Sequence, residues 1–376
     1  MVTIEKVNLD SKSAVNEFVN FQYELYRDVP QFCPPFRADI KLMLNKKKHP
    51  FFEFSDGEFY VARKDGKMAG RIGVFVNNPF NDYHKVKKGQ FYLFECIDDQ
   101  EVADALFKTA FTWCKDHGLD EIVGPKGLSA FDGYGILEKG YEHHQMMTMM
   151  NFNFPYYVKL VENLGFEKEV DFVSCYVKSD QFIIPEKIRL VAEKVLERGS
   201  FKIEKFASKR QMLREFGDKI GIAYNNAFVN NWEYYPLSEA EIKMLIKNLM
   251  EVIDPKLIKL ITYHGEIVGF LIAFPDISES LKRHNGRITP AAIIDLLYSM
   301  KRTKWVALNG AGVLPEYQGR GGNALLYVEM EKTLNSYGFE NWEFTQVAET
   351  AVQMRKDLVT SGGDPYKNHR VYHKKI

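Results

Sequence analysis

The segment Val313-Leu314-Pro315-Glu316-Tyr317-Gln318-Gly319-Arg320-Gly321-Gly322-Asn323-Ala324 reads as a strand end, a glycine-rich turn and a helix start in immediate succession. A helix N-terminus presents unpaired N–H groups and a partial positive charge. Glycines let the backbone close on an oxygen-rich anion without a Cβ in the way. Together they form a cradle for a phosphate or pyrophosphate, with Val313, Gln318, Gly319, Arg320, Gly321, Gly322, Asn323 and Ala324 as its candidate residues.

Other chemistry-bearing residues are less organised. His143-His144 precede Met146, Met147, Met149 and Met150, but no cysteine or carboxylate is spaced to complete a metal site, so these are read as core residues and no metal is expected. Cys33, Cys96, Cys114 and Cys175 lie far apart, and the last three sit in apolar company, which predicts reduced thiols and a cytoplasmic protein. The run Asn225-Asn226, Asn230-Asn231-Trp232 and Tyr234-Tyr235 falls between two helical segments. Its amides and rings, Asn225, Asn231 and Trp232 above all, suit a polar acceptor, and they suit helix capping equally well. Lys+Arg and Asp+Glu both number 50 in 376 residues, a balance that argues against nucleic-acid binding. No apolar run approaches the ~18 residues of a membrane span, and the first residues lack an apolar leader, so no membrane partner is expected.

The elements that position the loop occur twice. Glu58–Ala62 and Gly70–Val76 flank Asp65-Gly66; Leu257–Tyr263 and Gly269–Phe274 flank His264-Gly265. Each pattern predicts a hairpin. Each is followed by a strand, a helix stopped by glycine (Gly118, Gly338) and another strand. The first helix carries a stripe of Val102, Leu106, Ala110 and Trp113, and the second a stripe of Leu326, Met330, Thr333 and Tyr337. Two such units predict a duplication, with domains over 1–180 and 181–376. The predicted class is α/β (α+β), each domain built on a central, mostly antiparallel mixed sheet flanked by helices. Residues 276–304 interrupt the second unit as an inserted arm with a helix opened by Pro290. At the first unit's corresponding junction, Glu95-Cys96-Ile97-Asp98-Asp99-Gln100-Glu101-Val102, there is no glycine and four residues are acidic. Carboxylates suit a helix N-terminus but would repel a pyrophosphate and occupy the dipole meant for it.

The Gln318-to-Asn323 segment resembles the acetyl-CoA loop of the GCN5-related N-acetyltransferase (GNAT) superfamily, whose pattern is Gln or Arg, two residues, Gly, one residue, Gly or Ala. Gln318 and Gly321 match; Asn323 departs, and since Asn tolerates unusual backbone angles it implies a modified cradle. Gly124-Pro125 with Gly133 and Gly135, Asn225 to Phe228 through Pro236, the Asp276–Arg287 arm and His369-Arg370-Val371-Tyr372 resemble a two-domain bacterial branch of that superfamily. Asn153-Phe154-Pro155-Tyr156-Tyr157 with Glu162, Gly165 and Phe166 resembles the later helix that contributes an Asn and a Tyr beside the cofactor. The second domain has neither at Thr350–Val359.

The resemblance implies acetyl-CoA or another acyl-CoA as co-substrate, a small amine acceptor, and direct attack by the amine on the thioester. That chemistry needs a polarised carbonyl, a base and an acid. Backbone N–H near Val313 suits the first role. No carboxylate lies on the strand Trp305–Leu314, so the base is not evident. Tyr366 and Tyr372 are candidate acids, and Tyr157 a candidate acceptor-site residue. The alternative is a non-catalytic protein of the same fold that binds CoA or a small ligand. The oligomeric state does not follow from the sequence.

Overall fold

The structure, a computed structural model, describes residues 1–129, 132–146, 150–229 and 231–376. Met147, Met149 and Asn230 of the sequence analysis lie outside the described residues. The chain divides into two compact units. Unit 1 comprises Met1–Val173, Ile277–Met300 and Tyr366–Ile376; unit 2 comprises Ser174–Asp276 and Lys301–Pro365. The first break falls at Val173/Ser174, and the inserted arm and the chain's last residues belong to unit 1.

The chain runs β1 (Val2–Lys6), α1 (Lys12–Leu25), α2 (Arg37–Met43), β2 (Asp56–Lys64), β3 (Lys67–Val76), α3 (Asn78–His84), β4 (Lys88–Cys96), α4 (Gln100–Asp116), β5 (Glu121–Gly124), β6 (Ile136–Lys139), α5 (Tyr156–Asn163) and β7 (Glu167–Lys178). It continues with α6 (Glu186–Arg198), β8 (Lys202–Glu204), α7 (Lys209–Ala227), α8 (Glu239–Val252), β9 (Ile258–Tyr263) and β10 (Glu266–Pro275). The arm supplies α9 (Ser278–His284) and α10 (Pro290–Arg302), and β11 (Trp305–Val313), α11 (Gly322–Tyr337), β12 (Asn341–Ala348), α12 (Val352–Thr360) and β13 (Asp364–Lys375) finish the chain.

Unit 1 carries the strand order β1-β2-β3-β4-β5, with β13 beside β5. Every pair is antiparallel except β4–β5, and β13 joins through Tyr372↔Gly124 to Lys375↔Glu121. Unit 2 carries β8-β9-β10-β11-β12, antiparallel except for β11–β12, with the last residues of β7 next to β12. The expected mixed, mostly antiparallel sheet is present in each.

The repeat extends to backbone detail. The β2–β3 turn places Asp65 and Gly66 at φ 52° and 79°, and the β9–β10 turn places His264 and Gly265 at 50° and 82°. Two left-handed residues in succession give the turn that matches strand twist. The β3–β4 register slips between Arg71/Glu95 and Gly73/Tyr92, and the β10–β11 register slips between Leu271/Ala311 and Ala273/Leu308. At these bulges the extra residues include Leu93, at φ 53°, and Gly310, at φ 96°. A bulge bends its strand. Parallel pairing on the far side stops accordingly, after Gln90↔Val123 in unit 1 and after Leu308↔Phe344 in unit 2. The strands splay from there, and in unit 2 the splay is where the site lies.

Helix α4 buries Val102, Leu106, Ala110 and Trp113 as its spacing predicts, in a core shared with Phe91, Phe107 and Phe166. Each buried Phe contributes about 1.5–3 kcal/mol relative to exposure. On α11 the prediction holds for Leu326 and Met330 and then drifts. Leu334 takes the next buried position, while Tyr337 is exposed and donates a hydrogen bond to Asp254 at 2.7 Å.

Candidate functional site

In unit 2 the chain leaves β11 at Val313, makes one 3₁₀ turn over Pro315–Tyr317 and enters α11. The Gln318 amide turns back and donates to the Val313 carbonyl at 3.0 Å, which fixes the turn. Gly319 and Gly321 are left-handed, at φ 73° and 89°. A Cβ on Gly319 would meet no atom within 4 Å, whereas one on Gly321 would meet Val195 Cγ2 at 2.6 Å and Val191 Cγ1 at 2.9 Å on α6. Gly321 is therefore glycine for packing as well as for its angle, and Gly319 faces open space. Asn323 corrects an expectation: it lies in the first turn of α11 without a positive φ, exposed, and the unusual angles belong to the glycines. Arg320 lies over the Tyr317 ring at 5.2 Å, and Ala324 is buried against α6.

Among the described residues no side chain caps α11, and its first turn holds no acid. Its leading N–H groups are thus presented without a protein partner from a side chain, beside two left-handed glycines. That is the donor geometry of an anion cradle.

The splay of β11 from β12 opens a cleft. Leu271, Leu308, Gly310 and Ala311 from the sheet, Phe344 and Val347 from β12, and Phe182, Ile184 and Ile188 ahead of and on α6 give it an apolar wall. Its polar groups are Tyr327 on α11, Thr345 on β12, Asp357 on α12 and Ser361 just beyond it. Among the described lining residues Asp357 carries the one carboxylate. It accepts from Gln353 at 2.8 Å. Burial, and after it the Asp357 charge, push the Tyr327 hydroxyl up to about 12. Tyr327 stands one helical turn beyond Asn323 and brings α11 to the cleft.

Sequence reasoning missed both Tyr327 and Asp357. A signal for Tyr327 was present: the turn of a helix that follows an anion-binding turn faces the same ligand. Asp357 had none, since nothing in the spacing says that α12 turns this side chain into the splay. The other candidates sit elsewhere. Tyr366 and Tyr372 belong to unit 1 and are buried there, Tyr366 beside the His143 ring and Tyr372 at 3.4 Å from Glu162. Neither lines the cleft. Asn225 accepts from the Leu237 N–H at 3.0 Å and so braces the α7–α8 connection, with the exposed Asn231 and half-buried Trp232 on the same loop.

Tyr157 lies in unit 1, where the equivalent junction is filled by its own side chains. Asp99 caps α4, accepting the N–H groups of Glu101 and Val102, and is paired with Lys64. The Cys96 N–H at the end of β4 donates to the Tyr157 hydroxyl at 2.9 Å, and Tyr157 donates to Glu95 at 2.8 Å. Tyr26 lies 2.7 Å from the same carboxylate oxygen, and Arg71 is 3.7 Å from the other. Burial raises the Glu95 carboxyl above its ordinary range, against the pull of Arg71. The donors that could meet a ligand in unit 1 are thus taken by the protein. A further acidic group, Glu121, Glu169 and His373, carries Lys88 at 3.6 Å from both carboxylates, and His373 bonds Glu121 at 2.7 Å.

No family model matches the sequence. The chain is 26% identical to Protein YghO of Escherichia coli, over 97% of this chain and 94% of the relative. It is 25% identical to the bacterial ceramide synthase of Caulobacter vibrioides, over 98% and 97%. Among solved structures it is similar to a tandem GNAT protein from the clavulanic acid biosynthesis pathway, with a TM-score of 0.56 at 10% identity over 100% of this chain and 98% of the other. A GCN5-related N-acetyltransferase from Sphaerobacter thermophilus gives 0.51 at 13% identity, over 100% and 95%. The fold is that of the GCN5-related N-acetyltransferases in tandem.

Proposed function

We propose that this tandem GNAT-fold chain transfers an acyl group from CoA to an amine, and that unit 2 alone does the chemistry. The observation that carries the reading is the uncapped start of α11 on the same helix that carries Tyr327 into an apolar cleft, with a single carboxylate among the cleft's described lining residues. The cradle of Gly319 to Ala324 suits a pyrophosphate, and the cleft suits an apolar acyl group better than acetate alone. A relative named for ceramide synthesis supports an apolar acyl group joined to an amine.

Within the cleft, Asp357 accepts the ammonium proton as the amine adds to the thioester carbon. The C–N bond forms, the C–S bond breaks, and the thiolate leaves. Tyr327, held protonated by its raised pKa, donates a hydrogen bond to the departing sulfur rather than surrendering its proton, because a thiol near about 8.5 is the stronger acid. The proton that reaches the sulfur comes from Asp357 or solvent.

The test is calorimetric titration of the full chain with CoA, acetyl-CoA and palmitoyl-CoA, followed by thiol release with amine acceptors. Tighter binding of palmitoyl-CoA, with thiol release that needs an amine, is expected. Binding without turnover would favour the non-catalytic alternative, and no binding of any of the three would refute the reading.

A further inference from the structure

Helix α10 turns large apolar side chains outward. Its inner side mixes apolar with small and polar groups: Ala292 is buried, Leu296 and Met300 are half-buried, and Asp295 accepts from Ser280 at 2.8 Å, from Arg283 at 3.0 Å and bonds His284 at 3.2 Å. Ser299, one turn on, accepts from Arg283 at 2.9 Å. These contacts fix the rotation of α10 against α9, and Thr289 caps its start through the Ala292 N–H. The outer stripe is therefore forced outward, and it is apolar. Ile293, Ile294, Leu297 and Tyr298 are 48%, 70%, 54% and 56% exposed, and Ile288 just ahead of the helix is 54% exposed. A soluble helix turns such a stripe to the core, and contiguous exposed apolar groups mark an interaction site.

Charge says what covers it. Arg287 precedes the stripe, and Lys301 and Arg302 occupy the last turn of α10, all exposed. Lys301 falls four residues beyond Leu297, on the line of the stripe itself. The nearest acid on the helix, Asp295, is spent on α9. An apolar strip bracketed by cations, with a tyrosine among its residues, fits the headgroup layer of an anionic bilayer. It does not fit a self-contained dimer, since five side chains fall far short of the ~20–30 residues a side of a stable protein interface.

We propose that α10 docks the protein on an anionic lipid surface. It lies flat in the headgroup layer, with Ile294 and Leu297 at its deepest point and Arg287 and Lys301 on lipid phosphates. This is surface association and not spanning: among the described residues no helix is long and apolar enough to cross a membrane. The proposal stands on α10 alone, whatever reaction unit 2 performs.

The experiment is co-sedimentation of the full chain with vesicles of phosphatidylglycerol and phosphatidylcholine in equal parts, and with phosphatidylcholine alone. Binding to the mixed vesicles, weakened by salt and weaker on phosphatidylcholine, is expected. The I294D/L297D variant alters only exposed positions, so its melting curve stays that of the parent while its partitioning falls about tenfold or more. R287E/K301E falls on the anionic vesicles only. Absence of binding by the parent chain, or equal binding by I294D/L297D, overturns the proposal. So does light scattering that shows a dimer dissociated by I294D/L297D, because the stripe would then belong to a second copy.

Discussion

Asp357 and Tyr327 reach the cleft from different helices, and the roles given to them separate in a kinetic experiment. Asp357→Asn keeps the shape and removes the base, so kcat for amine acylation falls about a hundredfold or more with acyl-CoA affinity nearly unchanged. Tyr327→Phe removes one hydrogen bond and costs about tenfold in kcat. A pre-steady-state assay of thiol release reads both, and equal kcat for Asp357→Asn and the parent would remove Asp357 from the mechanism. A second prediction concerns His369, fully buried, with Nε2 bonded to the Asn151 carbonyl at 3.0 Å and Nδ1 buried with no partner among the described residues. Burial lowers its pKa from 6.5 to about 4. The unfolded chain takes up a proton as pH falls through 6.5, and the folded chain refuses it until about 4. Stability is therefore intact above that window and declines through it, by up to about 3 kcal/mol from this ring. Denaturant unfolding at pH 7 and pH 4.5 measures the loss, and His369→Gln shows a smaller pH difference than the parent. Little of this residue-level picture was legible beforehand. The sequence pointed to Tyr366 and Tyr372 because the tyrosine that the resemblance implies is missing from Thr350–Val359, yet partners in a site are chosen by how helices pack, which spacing along the chain does not record.

The loop and its helix were the most legible part, since a glycine-rich strand-to-helix turn reports its own backbone. The structure refines which glycine tests what. Gly319→Asn tolerates a positive φ and adds no charge, so CoA affinity stays within a few-fold; Gly319→Glu sets a carboxylate at the cradle and lowers affinity by about tenfold or more. Gly321→Ala drives a methyl into Val195 and Val191. It shows chiefly as lost stability, about 1–3 kcal/mol, and not as a specific binding defect. In unit 1, Asp99→Ala uncovers the start of α4, costs about 1 kcal/mol and adds no CoA site, because Tyr157 still holds the Cys96 N–H. Titration and thermal melting of the four variants separate these outcomes, and loss of CoA affinity in Asp99→Ala would move the site. The hairpins were legible from Asp65-Gly66 and His264-Gly265. The paired bulges were not. Leu93 adopts a positive φ that its side chain disfavours, so only tertiary context imposes the bend that splays β4, and the glycine at 310 became informative only once the register was known.

At the scale of the whole chain, sequence order and structural unit diverge. A helix-and-strand count gives two consecutive domains, because periodicity reports what each segment is and not where it pairs. Yet β13, the last strand, pairs with β5, and it brings Val371 and Tyr372, 0% and 1% exposed, into unit 1. Arg370 there holds Asp171 at 2.8 Å and is paired with Glu138. Arg37 likewise donates to the Asn285 carbonyl at 2.9 Å, and its N–H to the Gly286 carbonyl at 3.0 Å, so the arm between β10 and β11 belongs to the same body. A fragment ending at residue 180 lacks all of this: it leaves β5 with an open edge and the Leu106–Phe166 core without Tyr372. A fragment starting at 181 loses residues 174–178 of β7 from beside β12, and with them the Tyr176 bond to Asn341 at 2.7 Å. Each loss exposes apolar surface worth several kcal/mol, comparable with the ~5–15 kcal/mol that holds a domain folded. The expected outcome is that 1–180 and 181–376, made separately, give no cooperative melting transition, and that co-expression of the two restores one. Truncation at Pro365 alone suffices to abolish the transition of unit 1. A cooperative transition in isolated 1–180 would show that β13 is dispensable and that the first 180 residues form a domain in their own right.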